Sequence, residues 1–302
     1  MASYKFETLD VFTHTIFGGN QLAVLPDARG LDGGQMQQIA REFNLAETTF
    51  VLPAKDAPNT ANVRIFTPAK EMPFAGHPTI GTSIVLAEAM EGEGPFVREL
   101  TFEMHAGLVP VTVARPETGP TQAVFTTPIA PVIRNDAVDD TTLGAACSLS
   151  GAQIGMPGHE ANVATAGAPF AFLPVADAGA LSKADVDTGA WRHAGLPDGI
   201  TGITVYTRAV DVSEADWQVR MFAPEFGIGE DPATGSAAAA LPGQLAACED
   251  LADGTHDWLL HQGYEMRRPS QIGVSADIKD GTVTAVRVSG AAVRVSSGVF
   301  NI

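Results

Sequence analysis

Basic residues are scarce in this chain: 18 Lys+Arg stand against 35 Asp+Glu over 302 residues, a net charge of −17. That balance repels polyphosphate and anionic membrane surfaces and offers no basic stripe for counterion release, which argues against nucleic acid as a partner. The acids are scattered along the chain, so the excess reads as a solvated surface rather than a cation site. Cysteine is scarcer still. Cys147 and Cys248 sit among small apolar neighbours with no CxxC spacing, the pattern of buried free thiols in a reducing, cytoplasmic setting and not of a disulfide framework. No apolar run approaches the ~20 residues that span a bilayer, and Met1-Ala2-Ser3-Tyr4-Lys5-Phe6-Glu7 lacks the basic and apolar regions of an export signal. No membrane role is expected.

Motifs for borrowed chemistry are missing too. No GxGxxG follows a strand-like run, which disfavours hydride transfer on a dinucleotide. Gly229-Glu230-Asp231-Pro232-Ala233-Thr234-Gly235-Ser236 has the look of a phosphate loop but lacks the Lys and spaces its glycines differently. There is no GxSxG elbow, and no two histidines flank a Glu at helical spacing, so neither a serine hydrolase nor a zinc site is expected. Neither a dinucleotide site nor a phosphate loop is expected.

What the chain does contain is itself, twice. Val63-Arg64-Ile65-Phe66-Thr67-Pro68 returns as Val219-Arg220-Met221-Phe222-Ala223-Pro224, and His77-Pro78-Thr79-Ile80-Gly81-Thr82 returns as Asp231-Pro232-Ala233-Thr234-Gly235-Ser236. Gly19-Asn20-Gln21-Leu22-Ala23-Val24-Leu25-Pro26 is echoed by Gly167-Ala168-Pro169-Phe170-Ala171-Phe172-Leu173-Pro174. A repeat of half the chain is too long for a solenoid unit and predicts two similar domains facing each other. The Pro/Gly/Thr-rich stretch Arg115–Thr121 reads as their linker, giving domains 1–117 and 118–302, with the last strand able to return to the first domain.

The local reading is of alternating strands and helices. Leu9–Phe12 and Leu22–Leu25 read as strands. Asp32 with Gln35 three residues on reads as a capping box that opens a helix with Met36, Ile39, Ala40 and Phe43 on its apolar face. Met36 is core filler in that reading. Leu45–Leu52 reads as a strand in which Leu45, Glu47, Thr49 and Val51 share one face. Asn62–Phe66 is a further strand, and a helix is expected from near Pro78 to about Met90. Val97–Met104 and Leu108–Ala114 complete the first half, Ala237–Ala240 reads as the buried stretch of a helix, and Val283–Val288 with Ala292–Val295 reads as a closing hairpin.

Chemistry is expected at the repeated loops. In both, a polar residue precedes a proline and a run of small residues, which predicts that His77 and Asp231 mark two helix N-termini, with Asp231 as an N-cap. Each terminus offers unpaired N–H groups and partial positive charge to a carboxylate or enolate oxygen. The bland alternative is that Asp231 only caps and His77 only ends a loop; the duplication favours two loops facing one cleft. Glu47, on a strand face beside Leu45, Thr49 and Val51, is expected to lose hydration, so its pKa rises toward the range of a proton shuttle. An exposed edge-strand Glu is the alternative.

Taken together, Asp10-Val11-Phe12-Thr13, Gly19-Asn20, Asn44-Leu45-Ala46-Glu47-Thr48, Phe74-Ala75-Gly76-His77-Pro78-Thr79, Glu230-Asp231-Pro232-Ala233-Thr234-Gly235-Ser236 and Arg268-Pro269-Ser270 resemble the phenazine-biosynthesis-like (PhzF) family across essentially the whole chain. The resemblance implies a diaminopimelate-epimerase-like α/β fold, two similar domains each with a mixed sheet or open barrel around a central helix. It also implies a cofactor-independent isomerase, often a homodimer; with two helix ends to hold a carboxylate and Glu47 to carry the proton, the expected reaction is an allylic isomerisation or epimerisation of a small conjugated or amino carboxylic acid. It maps proton transfer onto Glu47, substrate positioning or assistance onto His77 and Asp231, and substrate contacts onto Gly76, Gly235 and Ser236. Cys147 and Cys248 lie outside the repeated loops, so two opposed thiols, as in the epimerase relatives, are not expected, and a single carboxyl shuttle is. Gln21 stands where the family usually has Pro, and Pro242 is expected to kink or end the second helix. A metabolite-binding or interaction module without turnover, built on the same scaffold, is the rival reading.

Overall fold

The structure, a computed structural model, describes residues 2–209 and 214–302. The chain divides into two compact units, residues 1–128 with 289–302 and residues 129–288. In the first unit the elements are β1 (Ser3–Val11), β2 (Asn20–Leu25), α1 (Gly33–Phe43), β3 (Glu47–Leu52), β4 (Ala61–Phe66), β5 (Glu71–Met72), α2 (Gly76–Glu91), β6 (Phe96–Met104), β7 (Gly107–Arg115) and β8 (Gln122–Thr126). The second holds β9 (Val132–Arg134), α3 (Asp140–Ala146), β10 (Asn162–Thr165), β11 (Pro169–Pro174), α4 (Ala178–Leu181), α5 (Thr188–His193), β12 (Gly202–Arg208), β13 (Trp217–Ala223), β14 (Ile228–Asp231), α6 (Gly235–Cys248), β15 (Gly254–Gln262) and β16 (Ser270–Lys279). A last strand, β17 (Thr282–Asn301), starts in the second unit and ends in the first.

The two units wind the same way. β1 pairs antiparallel with β2, β2 parallel with β3, β3 antiparallel with β4, β4 parallel with β6, and β6 antiparallel with β7. In the second unit β10 pairs antiparallel with β11, β11 parallel with β12, β12 antiparallel with β13, β13 parallel with β15, and β15 antiparallel with β16. In the first unit β7 continues to β8, and β17 pairs with both β8 and β1, closing a ring of eight strands. Closure leaves no edge row of unpaired N–H and C=O groups.

Each unit is built on a helix that is apolar on all sides, which is stable only when surrounded. Every residue of α2 from Gly76 to Ala87 is buried, and α2 packs against β1, β2, β3, β6, β7 and β8. Gly81 allows this: a Cβ there would stand 2.5 Å from Leu22 Cδ2 and 2.9 Å from Val11 Cγ2. α6 is buried from Ala237 through Leu245 and packs on β9, β10, β11 and β16. Pro242 neither ends it nor shortens it, because a helix packed on several strands loses one internal hydrogen bond to the proline without losing its position.

Local expectations fare unevenly. The Asp32–Gln35 capping box is present, with both reciprocal hydrogen bonds, and Met36, Ile39 and Ala40 are buried. The stretch read as a linker is instead the turn between β7 and β8, inside the first unit. Its Thr121 and Arg115 both bond Glu88 of α2. The expected closing hairpin is one continuous strand, β17. Ser289-Gly290 looks like a turn, but Gly290 serves packing: a Cβ there would lie 2.3 Å from the Phe12 ring. Phe12 itself takes φ +64° and donates its N–H to Ala291 O at 2.8 Å.

Candidate active site

Glu47 is the first residue of β3 and lies opposite Leu22 in the parallel β2–β3 register. Leu45 falls before the strand, because Asn44 takes the left-handed conformation (φ 50°) that caps α1 and the strand begins only at Glu47. Side-chain alternation carries the rest of the expectation: Thr49, two residues on, hydrogen-bonds Thr82 of α2 through its hydroxyl at 2.8 Å. The face shared by Glu47 and Thr49 is therefore the one turned to α2. There Glu47 Oε2 lies 3.1 Å from His77 Nε2, with the two side chains 13 % and 6 % exposed.

His77 is the second residue of α2, whose N-terminal cap, Ala75, has no side chain able to cap. The helix thus starts at Gly76, two residues earlier than expected, with Pro78 at its third position. That position also lacks an intrahelical acceptor, so the missing N–H costs nothing there. Burial pushes the imidazole pKa down to about 3, opposed in part by a hydrogen bond to the Gln21 backbone. Nε2 makes no well-aligned hydrogen bond, so the Gln21 contact uses Nδ1. A contact that favours the charged ring comes from a carbonyl oxygen, which places the proton of the neutral ring on Nδ1 and leaves a lone pair on Nε2, facing Glu47.

Asp231 ends β14, and α6 begins only at Gly235, so Asp231 is not the N-cap that its proline suggested; Thr234 holds that position. Gln262, at the end of β15, keeps the intervening residues out of the helix. Its Nε2 donates to Asp231 O at 2.8 Å and to Thr234 Oγ1 at 2.9 Å, while its Oε1 accepts from Thr234 N at 3.0 Å. The Thr234 hydroxyl donates to Asp231 Oδ2 at 2.5 Å. Ser270 Oγ donates to Pro232 O at 2.8 Å, and the loop lies so close to Gly263 that a Cβ there would be 2.6 Å from Pro232 O. Gly235 and Ser236 then occupy the first two positions of α6, whose N–H groups have no partner within the helix.

The residues just before each loop are anchored alike. Arg64 on β4 forms a two-pronged ion pair with Glu71 on β5, both bonds 2.7 Å. Arg220 on β13 does the same with Glu230 on β14, again at 2.7 Å twice, and also donates to the carbonyls of Leu181 and Ala184. Each guanidinium covers the ring two residues on, Phe66 and Phe222. The arginines stood in the repeated hexapeptide without an assigned role. Gln262 carried no sequence signal at all, since a lone Gln at a strand end belongs to no motif.

The structure brings Glu47, Gly76 and His77 together in the first unit, and Asp231, Gly235 and Ser236 together in the second. Cys147 is a buried free thiol whose pKa burial pushes up to about 12, and Cys248 is free and half-buried. Neither lies on these loops. Among the described residues no group of three His, Cys, Asp or Glu could hold a metal, and no helix is long and apolar enough to cross a membrane.

Comparison with known proteins agrees along the whole chain. The profile of the family described as "Phenazine biosynthesis-like protein" matches residues 9–298. A protein named an uncharacterized isomerase from Mesorhizobium japonicum is 38% identical over 99% of both chains. A trans-2,3-dihydro-3-hydroxyanthranilate isomerase from Pseudomonas aeruginosa is 33% identical over 98% of both. Among solved structures, a Bacillus anthracis phenazine biosynthesis protein of the PhzF family superposes with a TM-score of 0.88 at 24% identity, covering 100% of each chain.

Proposed function

Because this chain belongs to the phenazine biosynthesis-like family and is an isomerase, we propose that it moves a proton between carbons of a small conjugated or amino carboxylic acid, with Glu47 as the carrier. The observation that carries this reading is the 3.1 Å approach of Glu47 to a buried His77 whose pKa lies near 3. An ionised carboxylate at that distance would hold the imidazole charged. A neutral ring with its lone pair toward Glu47 is placed to accept a proton carried by that carboxyl group.

The chemistry follows from that proton. A carbon acid next to a conjugated carboxylate is activated when the negative charge that develops on the carboxylate is stabilised. In the first unit the N–H groups at the start of α2, which have no acceptor within the helix, supply such stabilisation; in the second unit Asp231 and the start of α6 at Gly235 and Ser236 are candidate substrate contacts. Glu47 delivers a proton to one carbon and its carboxylate removes one from another, so no redox change occurs and no group is lost. His77, fixed by the Gln21 backbone, accepts from the protonated acid and keeps its oxygens aimed. The result is an allylic isomerisation or an epimerisation.

The first substrate to try is trans-2,3-dihydro-3-hydroxyanthranilate, the compound in the name of the Pseudomonas aeruginosa relative. Conversion followed by absorbance and mass spectrometry, with the product isomeric to the substrate, is the expected result. Should that compound be inert, a panel of unsaturated and amino carboxylic acids screened for deuterium uptake from heavy water tests the class. A panel with no exchange contradicts the proposal.

A further inference from the structure

We infer that Gln262 and Thr234 form a one-way hydrogen-bond relay that orients Asp231 and holds it ionised, making them positioning residues for that carboxylate. The direction of the relay is set by chemistry rather than by proximity. The amide of Gln262 can be oriented in only one sense: the oxygen must face the Thr234 N–H, which only donates, and the nitrogen must face Asp231 O, which only accepts. That nitrogen also reaches Thr234 Oγ1 at 2.9 Å and can only donate to it. The hydroxyl accepts from Gln262 on one of its two lone pairs and directs its single proton to Asp231 Oδ2 at 2.5 Å. A short O–H donor aimed at a carboxyl oxygen favours the anion, because the protonated acid accepts a hydrogen bond less strongly than the carboxylate does. All three groups are buried, Gln262 at 2 %, Thr234 at 6 % and Asp231 at 7 % exposure, so water does not readily replace a lost donor.

The first copy of the repeat lacks this device. Ile80 stands in the sequence where Thr234 does, and Met104 ends β6 as Gln262 ends β15. There the segment winds into helix as far back as Gly76, and its polar residue, His77, is dry and neutral. One duplicated loop has thus become apolar around a neutral base, while the other has gained a polar grip around an acid. Titratable and charged groups on the elements around the Asp231 loop include Arg220 and Glu230, paired with each other, His261 on β15 beside Gln262, and Glu265, Arg267 and Arg268 in the turn after β15. Their fields are common to the wild type and the variants below.

This inference rests on the proposed role of Asp231 only for its consequence in turnover; the relay itself is tested without substrate. The carboxyl carbon of Asp231 is followed by 13C NMR in protein labelled at aspartate, its signal assigned by its loss in Asp231→Asn, across a pH titration. In Thr234→Val the pKa of Asp231 is expected to rise by about one unit or more, because a direct donor is gone, and in Thr234→Ser it is expected to return to the wild-type value. Gln262→Met, which keeps the side-chain length, is expected to shift it in the same direction by less, since the hydroxyl is then free to turn. If Thr234→Val does not fold, Gln262→Met and Thr234→Ser decide alone. An unchanged Asp231 pKa in Thr234→Val, or in Gln262→Met when that variant decides, overturns the relay. Loss of activity with all pKa values as predicted leaves the relay standing and bears on the reaction instead.

Discussion

His77 Nε2 lies 3.1 Å from Glu47 Oε2, with the other face of the imidazole tied to the backbone of Gln21. A strand residue and a helix residue thirty positions apart are thus held in contact. The neutral ring has a direct consequence for stability. An unfolded histidine binds a proton below its ordinary pKa near 6.5, while folded His77 stays neutral down to about 3. The unfolded state therefore binds more protons in that window, and His77 makes stability fall as pH drops through it, by about 1.4 kcal/mol per pH unit. Urea unfolding of wild type and His77→Gln between pH 4 and 7 checks this: the variant is expected to show a flatter profile by about one proton.

Arg220 is buried and its partner Glu230 is largely covered, and Arg220 additionally serves the carbonyls of Leu181 and Ala184. Removing one partner strands the other, so Arg220→Met is expected to cost about 3–5 kcal/mol in chemical denaturation. Adding Glu230→Gln is expected to recover only part of that loss, since the carbonyls remain without their donor. Full recovery in the double variant would mean that the ion pair alone matters.

Gly290 and Gly229 offer a paired test of the fold. A Cβ at Gly290 meets the Phe12 ring at 2.3 Å, whereas nothing lies within 4 Å of one at Gly229. Gly290→Ala is expected to lose about 1–3 kcal/mol through overpacking, and Gly229→Ala to stay within about 0.5 kcal/mol of wild type. Thermal and urea unfolding distinguish them.

Net charge of −17 repels an anionic substrate at long range, while the helix termini act only at contact. Salt screens the first and spares the second, the screening length being about 8 Å at physiological ionic strength. For a carboxylate substrate kcat/KM is expected to rise, by up to a few fold, from 10 to 150 mM salt. A steep fall would point instead to attraction of the substrate by a locally positive surface.

Much of this was legible because it is written in short-range pattern. Alternation along β3 placed Glu47 on the face of Thr49, and the structure turns that face to α2. The duplication of Arg64 and Arg220 announced two units of one topology, and the resemblance named their fold. Harder to see was anything set by a distant side chain. Asp231 looked like an N-cap because Asp-Pro usually is one; Gln262, 31 residues later, holds that loop out of the helix. Ser289-Gly290 looked like a turn, yet the glycine answers to Phe12, nearly 280 residues earlier. The Pro-rich stretch before β8 carried every mark of a linker, but turns and linkers share a composition, and only strand pairing separates them.

The central claim is that the Glu47 carboxyl carries the proton. Its most direct test is deuterium incorporation from heavy water into a turned-over carboxylic acid, measured by mass spectrometry for wild type, Glu47→Asp and Glu47→Gln. The account predicts uptake at one carbon in the wild type, reduced uptake in Glu47→Asp, and a loss of roughly 10²–10⁴ in rate for Glu47→Gln. Undiminished uptake by a folded Glu47→Gln protein would contradict it.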